Sequence, residues 1–371
     1  MRVAILDDFT DVARQFADWS KVEARAPVTV FRDHLADNAA LAERLKPFEI
    51  VCVMRERTPL PRAVIEQLPN LKLIVTTGMR NASIDDKAAT ERGVVVSGTE
   101  SVGFTTAEHA WAMLLAAARN IPQEEAALRL GIWQLGVGLT LRGRRLGILG
   151  LGKIGGQVAA FGKAFGMEVV AWSQNLTEER CRELGVTRVD KDELLRTSDF
   201  ITIHLVLSPR TRDLIGAREF GLMKPSAILV NTSRGPIVDE TALLEALKTN
   251  RILRAALDVY NVEPLPKDHP LLACTNAVLA PHLGYVNEHN YRAFYPQEVE
   301  AVLAFLDGAP IRVIGANFTG SGDVYWYVRA DSPIKTFKDA KPADILAYSS
   351  NGSSTHIAAS ALVEEAGVTA K

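Results

Sequence analysis

Short apolar runs alternate with amphipathic stretches along the first hundred residues of the chain. Helical periodicity predicts helices at residues 39–45 and 62–68, between the apolar runs. Such alternation is typical of a parallel sheet covered by helices. The apolar runs predict strands at residues 2–6, 28–31, 50–54, 71–76 and 94–96.

A second series of the same kind begins at Arg145. Two long apolar helices flank it, at residues 105–119 and 287–306, and Pro296 predicts a break in the second one. A series of six strands with a glycine-rich first turn has the size of a full dinucleotide-binding unit. These strands are predicted at residues 146–149, 168–172, 200–204, 227–231, 255–259 and 277–280.

The first turn of this second series is a G-x-G-x-x-G loop between an apolar run and a helical pattern. Gly150 allows a tight turn, Gly152 lets the backbone approach phosphates, and Gly155 lets the helix and the strand pack closely. Lys153 and Ile154 complete the loop. The context predicts a dinucleotide pyrophosphate at the helix N-terminus.

Composition limits the partners and the compartment. A chain of 371 residues with 47% hydrophobic residues is long enough for two domains with apolar cores. A net charge of −2 argues against nucleic acid or a membrane surface as partner. Three isolated cysteines show no metal spacing and suit a reducing compartment. We expect a cytoplasmic protein without a metal site, a signal peptide or a membrane-spanning segment.

Six sequence strings resemble the D-isomer-specific 2-hydroxyacid dehydrogenase family over about residues 1–313. In order and spacing they are Thr106-Ala107-Glu108-His109-Ala110, the loop of residues 150–155, Asn231-Thr232-Ser233-Arg234-Gly235, Ala256-Leu257-Asp258-Val259, Glu263-Pro264 and Pro281-His282-Leu283-Gly284.

The resemblance implies an α/β fold with two Rossmann-like, doubly wound parallel-sheet domains. The nucleotide domain (residues 101–284) would be inserted into a discontinuous substrate domain (residues 1–100 and 285–313). It also implies a homodimer that pairs through an arm at about residues 124–141.

The resemblance further implies hydride transfer between a nicotinamide and a 2-keto or D-2-hydroxy acid. Arg234 would bind the substrate, because a guanidinium grips carboxylate and carbonyl oxygens with fixed geometry. His282 would donate or accept the proton, and Glu263 would orient its ring. Taken singly, these residues are a surface ion-pair partner, a structural histidine and a loop carboxylate. Each of the three residues follows a predicted strand of the same sheet, and this combination favours a catalytic role over the three separate roles.

Four more residues are cofactor-binding candidates. The resemblance places Thr106 beside the nicotinamide and has Asp258 accept a hydrogen bond from its carboxamide, although a turn role for Asp258 stays open. His204 ends a predicted strand at the cofactor side. Ser173 follows the strand at 168–172, where NAD-selective proteins carry a carboxylate, and no arginine follows at once. We predict NAD as the cofactor and leave NADP open.

The substrate loop departs from the family pattern. Gly78, Met79 and Arg80 belong to a loop whose amides would hold the substrate carboxylate, and Arg80 stands where relatives usually have glycine. Arg55 adds positive charge at the same sheet edge. A second anionic group on the substrate and an Arg80 ion pair with a nearby carboxylate are both open interpretations.

Residues 315–371 differ from the rest of the chain. A strand at 325–328, a segment at 333–339 and a helical run at 355–366 resemble a fragment of a periplasmic solute-binding protein that serves ABC transporters, too small for a domain of its own. We assign this extension no function. Two alternatives to an active dehydrogenase follow, namely an NAD-sensing corepressor-like binding protein and an inactive fusion product.

Overall fold

A computed structural model describes residues 1–308, 311–315 and 325–329 of the chain, the last two ranges as strands. The chain forms two compact units. The first contains Met1–Glu100 and the described residues from Phe294 onward, and the second contains Ser101–Ala293. Each unit is built on one parallel sheet, so the predicted α/β architecture with two parallel-sheet domains is confirmed.

The first unit carries a five-stranded parallel sheet in the order β2-β1-β3-β4-β5. The strand order reverses beside β1, so the loops that follow β1 and β3 emerge at a topological switch point. The strands β1–β5 span Val3–Ile5, Val28–Val30, Ile50–Val53, Leu73–Thr76 and Val95–Gly98, and the helices α1–α5 span Ala13–Phe16, Ser20–Glu23, Asn38–Leu45, Arg62–Ile65 and Asp86–Glu91.

The second unit carries a seven-stranded parallel sheet in the order β12-β11-β10-β9-β6-β7-β8. All six predicted strands are present, and the two-residue β8 is too short to leave a periodic signal. The elements are α6 Thr105–Arg119, α7 Ile121–Arg129, β6 Arg145–Leu149, α8 Lys153–Ala164, β7 Glu168–Trp172, α9 Glu178–Leu184, β8 Thr187–Arg188, α10 Lys191–Thr197, β9 Phe200–Ile203, α11 Ala217–Leu222, β10 Ile228–Asn231, α12 Glu240–Lys248, β11 Arg254–Leu257 and β12 Ala277–Leu279, with 3₁₀ turns at Gly235–Ile237 and Pro270–Ala273.

Both faces of this sheet are buried. On β10, Ile228 and Val230 pack into one apolar cluster together with Leu114 of α6, while Leu229 packs into the cluster on the opposite face. A parallel strand covered on both faces needs apolar side chains at successive positions. This is the physical reason why the strands are visible in the sequence as continuous apolar runs.

The predicted break at Pro296 is wrong. Helix α13 runs continuously over Glu288–Leu306 with Pro296 inside it. An interior proline removes one helical hydrogen bond and costs about 3 kcal/mol. Phe294 and Tyr295, immediately before it, are 0% and 1% exposed. We attribute the continuity of the helix to this packing, which offsets the cost of the proline.

Beyond α13 the structure describes two further strands. Strand β13 (Ile311–Gly315) pairs antiparallel with β14 (Tyr325–Arg329), so the strand predicted at residues 325–328 is present. The segment at 333–339 and the helical run at 355–366 lie outside the described residues. Within the described chain, every helix is too short or too polar to cross a bilayer.

Helix α13 also contributes a buried carboxyl group to the first unit. Glu298 is 1% exposed, and its Oε2 has no hydrogen-bond partner among the described residues. Burial is the main cause that raises the pKa of Glu298 well above its usual range, and the nearby charge of Asp8 raises it further. Burial also raises the pKa of the Cys52 thiol, with a smaller electrostatic contribution from Glu298. The folded chain therefore favours the protonated form of this carboxyl.

We predict that Glu298→Gln stabilises the protein at pH 8 by about 1–3 kcal/mol, because glutamine is neutral without binding a proton, whereas each unit by which the pKa of the buried carboxyl is raised costs about 1.4 kcal/mol at that pH. A raised folded-state pKa costs stability as the pH rises above the unfolded-state pKa, so the gain should vanish near pH 4. Urea unfolding at both pH values measures it. Glu300→Gln, at an exposed position of the same helix, is the matched control. Equal stability of parent and Glu298→Gln at pH 8 would contradict the prediction.

Candidate active site

The glycine-rich loop joins β6 to α8 at the point where the strand order of the second sheet reverses. Gly150 has φ +102°, and a Cβ there would lie 2.5 Å from the carbonyl oxygen of His204. A Cβ at Gly155 would overlap the carbonyl of Gly150. At Gly152, the N-cap of α8, a Cβ would meet only open space. The first-turn amides of α8 lack helical partners, so this open space suits the phosphates of a dinucleotide.

A cavity of about 320 Å³ opens beside this loop. Ser173, Asn175 and Thr177 line it from the segment after β7, Arg180 lines it from α9, and His204 lines it from the end of β9. Among the described residues that line it there is no carboxylate. Arg180 is not predicted from the sequence, because it lies several residues beyond the end of β7 and only α9 turns it back toward the loop.

His204 and Lys153 have different surroundings. Burial lowers the pKa of His204 to about 4, so its ring is neutral at neutral pH, and its Nε2 lies 2.9 Å from Thr202 Oγ1. Lys153 is exposed, and its Nζ lies against Gly103 in the segment before α6, where a Cβ would overlap it. Lys153 is thus directed to that segment and is not among the residues that line the cavity.

His282 and Glu263 form a direct pair in the second unit. Nδ1 of His282 lies 2.6 Å from Oε2 of Glu263, and Oε1 of Glu263 accepts a hydrogen bond of 2.9 Å from the Tyr260 backbone N–H. The two side chains are 18% and 26% exposed. The bond at Nδ1 sets the orientation of the imidazole and directs Nε2 away from the carboxylate.

Asp258, fully buried after β11, holds the turn that carries His282. Its Oδ1 accepts the Leu283 backbone N–H at 2.7 Å, and its Oδ2 accepts the Gly284 N–H at 3.0 Å. His109 Nε2 lies 3.0 Å from Asp258 Oδ1 without forming a hydrogen bond to it. Thr106 Oγ1 donates to the Gly284 carbonyl at 3.2 Å.

Arg234 follows β10, the neighbour of β11. Its Nη1 donates to the Ser233 carbonyl at 2.7 Å, and its own carbonyl accepts a bond of 3.0 Å from the Asn231 side chain. A Cβ at Gly235 would overlap the Tyr260 backbone, so the loop after β10 packs closely on the loop that carries Glu263. The order β12-β11-β10 brings Arg234, Glu263 and His282 to the carboxyl edge of one sheet.

The substrate-loop candidates lie together in the first unit. The Arg55 guanidinium lies over Gly78, and its Nη1 donates to the Thr77 carbonyl at 3.3 Å. The Gly78 N–H donates to Thr99 Oγ1 at 2.9 Å, so this amide is engaged within the loop itself. Met79 is 52% exposed and Arg80 is also exposed.

A doubly wound unit with a glycine-rich loop at its switch point defines the class of dinucleotide-binding α/β proteins. Residues 111–284 match the family model of the D-isomer specific 2-hydroxyacid dehydrogenase NAD binding domain. The chain belongs to this family, and the resemblance found in the sequence is confirmed.

Relatives and solved structures agree with this assignment. The chain is 43% identical to a D-3-phosphoglycerate dehydrogenase of Methanocaldococcus jannaschii over 257 residues, which are 68% of this chain and 49% of that protein. It is 41% identical to a glyoxylate reductase of Aeropyrum pernix over 255 residues, or 66% and 76% of the two chains. A crystal structure of a phosphoglycerate oxidoreductase from Vibrio cholerae superposes with TM-score 0.79 and 39% identity, covering 83% of this chain and 100% of the other. The chain spans about half the length of the D-3-phosphoglycerate dehydrogenases it matches.

We predict that Gly152→Ala leaves thermal stability unchanged and weakens NADH binding about tenfold or more, or ~1.4 kcal/mol. The added methyl group meets open space in the protein but occupies the approach to the phosphates. Thermal melting and calorimetric titration with NADH measure the two effects. Gly221→Ala, also with open space at its Cβ, is the control. Unaltered NADH affinity in Gly152→Ala would show that no ligand approaches this backbone.

Proposed function

We propose that the chain is an NAD(P)-dependent D-2-hydroxyacid dehydrogenase that also works in reverse as a 2-ketoacid reductase. The observation that carries this proposal is the 2.6 Å contact between His282 and Glu263. It lies at the same sheet edge as Arg234, in the unit that matches the NAD-binding domain. The nicotinamide, when bound, supplies or accepts the hydride.

His282 is the proton donor in reduction and the proton acceptor in oxidation, acting through Nε2. Glu263 fixes the ring at Nδ1, and the Tyr260 N–H fixes Glu263 in turn. Arg234 holds the substrate carboxylate and polarises the carbonyl that becomes the alkoxide. The positive charge of the guanidinium stabilises the negative charge that develops on that oxygen.

We assign cofactor binding to the second unit. The glycine loop holds the pyrophosphate, the cavity after β7 takes the adenosine ribose, and Asp258 has lone pairs beyond its two backbone bonds for the carboxamide. The proposed cofactor-binding residues are Thr106, Gly150, Gly152, Lys153, Ile154, Gly155, Ser173, His204 and Asp258.

We assign substrate binding in the first unit to Arg55, Gly78, Met79 and Arg80. The guanidinium over Gly78 supports this assignment, and Arg57, stacked at 5.2 Å on the Phe9 ring, adds a further cation to the loop after β3. Three arginines favour a keto acid with a second anionic group as the preferred substrate. A simple keto acid, as the name glyoxylate reductase implies for one relative, is the other candidate.

An enzyme is favoured over an NAD sensor or an inactive fusion product. The relatives are named for dehydrogenase and reductase activity, and the pairing of His282 with Glu263 has a direct use in proton transfer. We also propose a cytoplasmic location, because the buried Cys52 and Cys181 are free thiols.

We expect His282→Ala to lower kcat by about 10²–10⁴-fold, the usual contribution of a general acid. Glu263→Gln should lower kcat less, because the amide still contacts Nδ1. The assay follows the absorbance of NADH and NADPH with glyoxylate, hydroxypyruvate, pyruvate, phenylpyruvate and 3-phosphohydroxypyruvate. His289→Ala, whose side chain is 62% exposed, is the matched control. Nucleotide binding without turnover on any substrate would reject the enzyme in favour of the sensor.

We also propose that two copies of the chain form a homodimer through the predicted arm. The arm, residues 124–141, exposes large apolar side chains, including Leu130 (78%), Trp133 (77%) and Val137 (96%). A contiguous exposed apolar patch marks an interaction surface. A second copy of the chain is its expected occupant, since the resemblance places the pairing arm of the family here.

The variant Leu130→Asp/Val137→Asp should be monomeric at micromolar concentration, whereas the parent chain should be dimeric. Two charges at the centre of an apolar interface are desolvated without partners, which is costly. Light scattering coupled to size exclusion measures the mass. Leu272→Asp, at a 53% exposed position outside the arm, should remain dimeric. A monomeric parent would refute the pairing.

A further inference from the structure

We propose that the cavity beside the glycine loop accepts the ribose 2′-phosphate of NADP(H), and that Arg180 is the residue that contacts this phosphate. The inference rests on the proposed function in one respect, namely that the occupant of the cavity is a nicotinamide dinucleotide. It adds a preference between the two dinucleotides.

The position of the cavity identifies the part of the ligand that it meets. In a doubly wound nucleotide-binding sheet the adenosine ribose lies at the carboxyl end of the second strand of the series. Here that strand is β7, and the cavity is lined by Ser173, Asn175 and Thr177 just beyond its end. The cavity is therefore placed where the 2′-substituent of the ribose would be.

The chemistry of the lining suits an anion. Selectivity for NAD comes from a carboxylate that binds the ribose hydroxyls and repels a 2′-phosphate. The described lining of this cavity offers two hydroxyls, an amide and a guanidinium, and contains no carboxylate. His204, which also lines it, is neutral at neutral pH because burial lowers its pKa to about 4. The fixed charge in the lining is therefore that of Arg180.

The geometry of Arg180 brings its guanidinium to the mouth of the glycine loop. The backbone N–H of Arg180 donates a hydrogen bond of 3.2 Å to Thr177 Oγ1, which fixes the start of α9. Its Nε donates to the Leu151 carbonyl at 3.4 Å, and a Cβ at Gly156 would lie 3.5 Å from Nη2. The guanidinium thus extends from α9 across the first turn of α8, and a planar fork of N–H donors matches phosphate oxygens.

Arg180 also has an acidic neighbour. Its Nη1 lies 3.0 Å from Glu183 Oε2, and the two side chains are 41% and 55% exposed. Exposed ion pairs of this kind contribute little, about 0–1 kcal/mol. A dianionic phosphate can therefore compete for the guanidinium. A purely structural ion pair between Arg180 and Glu183 is the alternative that the experiment must separate.

The test is calorimetric binding of 2′,5′-ADP and 5′-AMP to the full chain, because these ligands differ only in the 2′-phosphate. We expect 2′,5′-ADP to bind about tenfold or more tightly than 5′-AMP. Arg180→Gln should abolish this ratio and leave 5′-AMP affinity unchanged. Ser173→Asp, which restores a carboxylate after β7, should also reduce the affinity for 2′,5′-ADP. The matched control is Arg182→Gln, at an exposed position of the same helix, which should keep the ratio.

The outcomes separate this inference from the proposed function. Equal affinity for the two ligands, or a ratio that survives Arg180→Gln, overturns the 2′-phosphate site while the nucleotide site stands. If neither 2′,5′-ADP nor 5′-AMP binds, and NAD⁺ and NADP⁺ do not bind either, the nucleotide site is overturned and the inference with it. A ratio lost in Arg180→Gln and kept in Arg182→Gln supports the site.

Discussion

The arrangement of the candidate active site depends on one buried carboxylate. Asp258 is fully buried, and a buried charge is stable only when hydrogen bonds replace its lost hydration. It takes two of these bonds from the backbone of Leu283 and Gly284, directly after His282. The end of β11 is thereby tied to the turn after β12. His282 itself has φ +55°, a strained conformation that such a turn must hold in place.

Around this anchor, neighbouring strands contribute one group each. Arg234 follows β10, Glu263 belongs to the loop after β11, and His282 follows β12. Parallel strands end at the same edge, so three residues far apart in the chain reach one edge of the sheet. The close packing of Gly235 on the Tyr260 backbone then sets how near two of these loops come. In the same sheet, the reversal between β6 and β9 opens the cavity for the nucleotide.

Sequence and structure agree best where a residue's role is local or periodic. The buried parallel strands are apolar on both faces, so all eleven predicted strands of the two sheets are present, with ends that differ from the prediction by at most two residues. The failures have a common cause. Pro296 favours a helix break locally, but the burial of Phe294 and Tyr295 holds α13 continuous. Arg180 carries no sequence signal, because only the path of α9 brings it to the cavity.

The sequence by itself determined the order of strands and helices, the glycine loop and the identity of the proposed catalytic residues, because these reside in spacing, periodicity and short motifs. Only the tertiary structure decided which groups meet. The bond from Glu263 to His282, the engagement of Gly78 with Thr99 and the burial of Glu298 beside Asp8 all join residues distant in the chain. Such contacts follow from how the strands pair and the helices pack. No local sequence pattern encodes the distance between two such residues or the direction of their side chains.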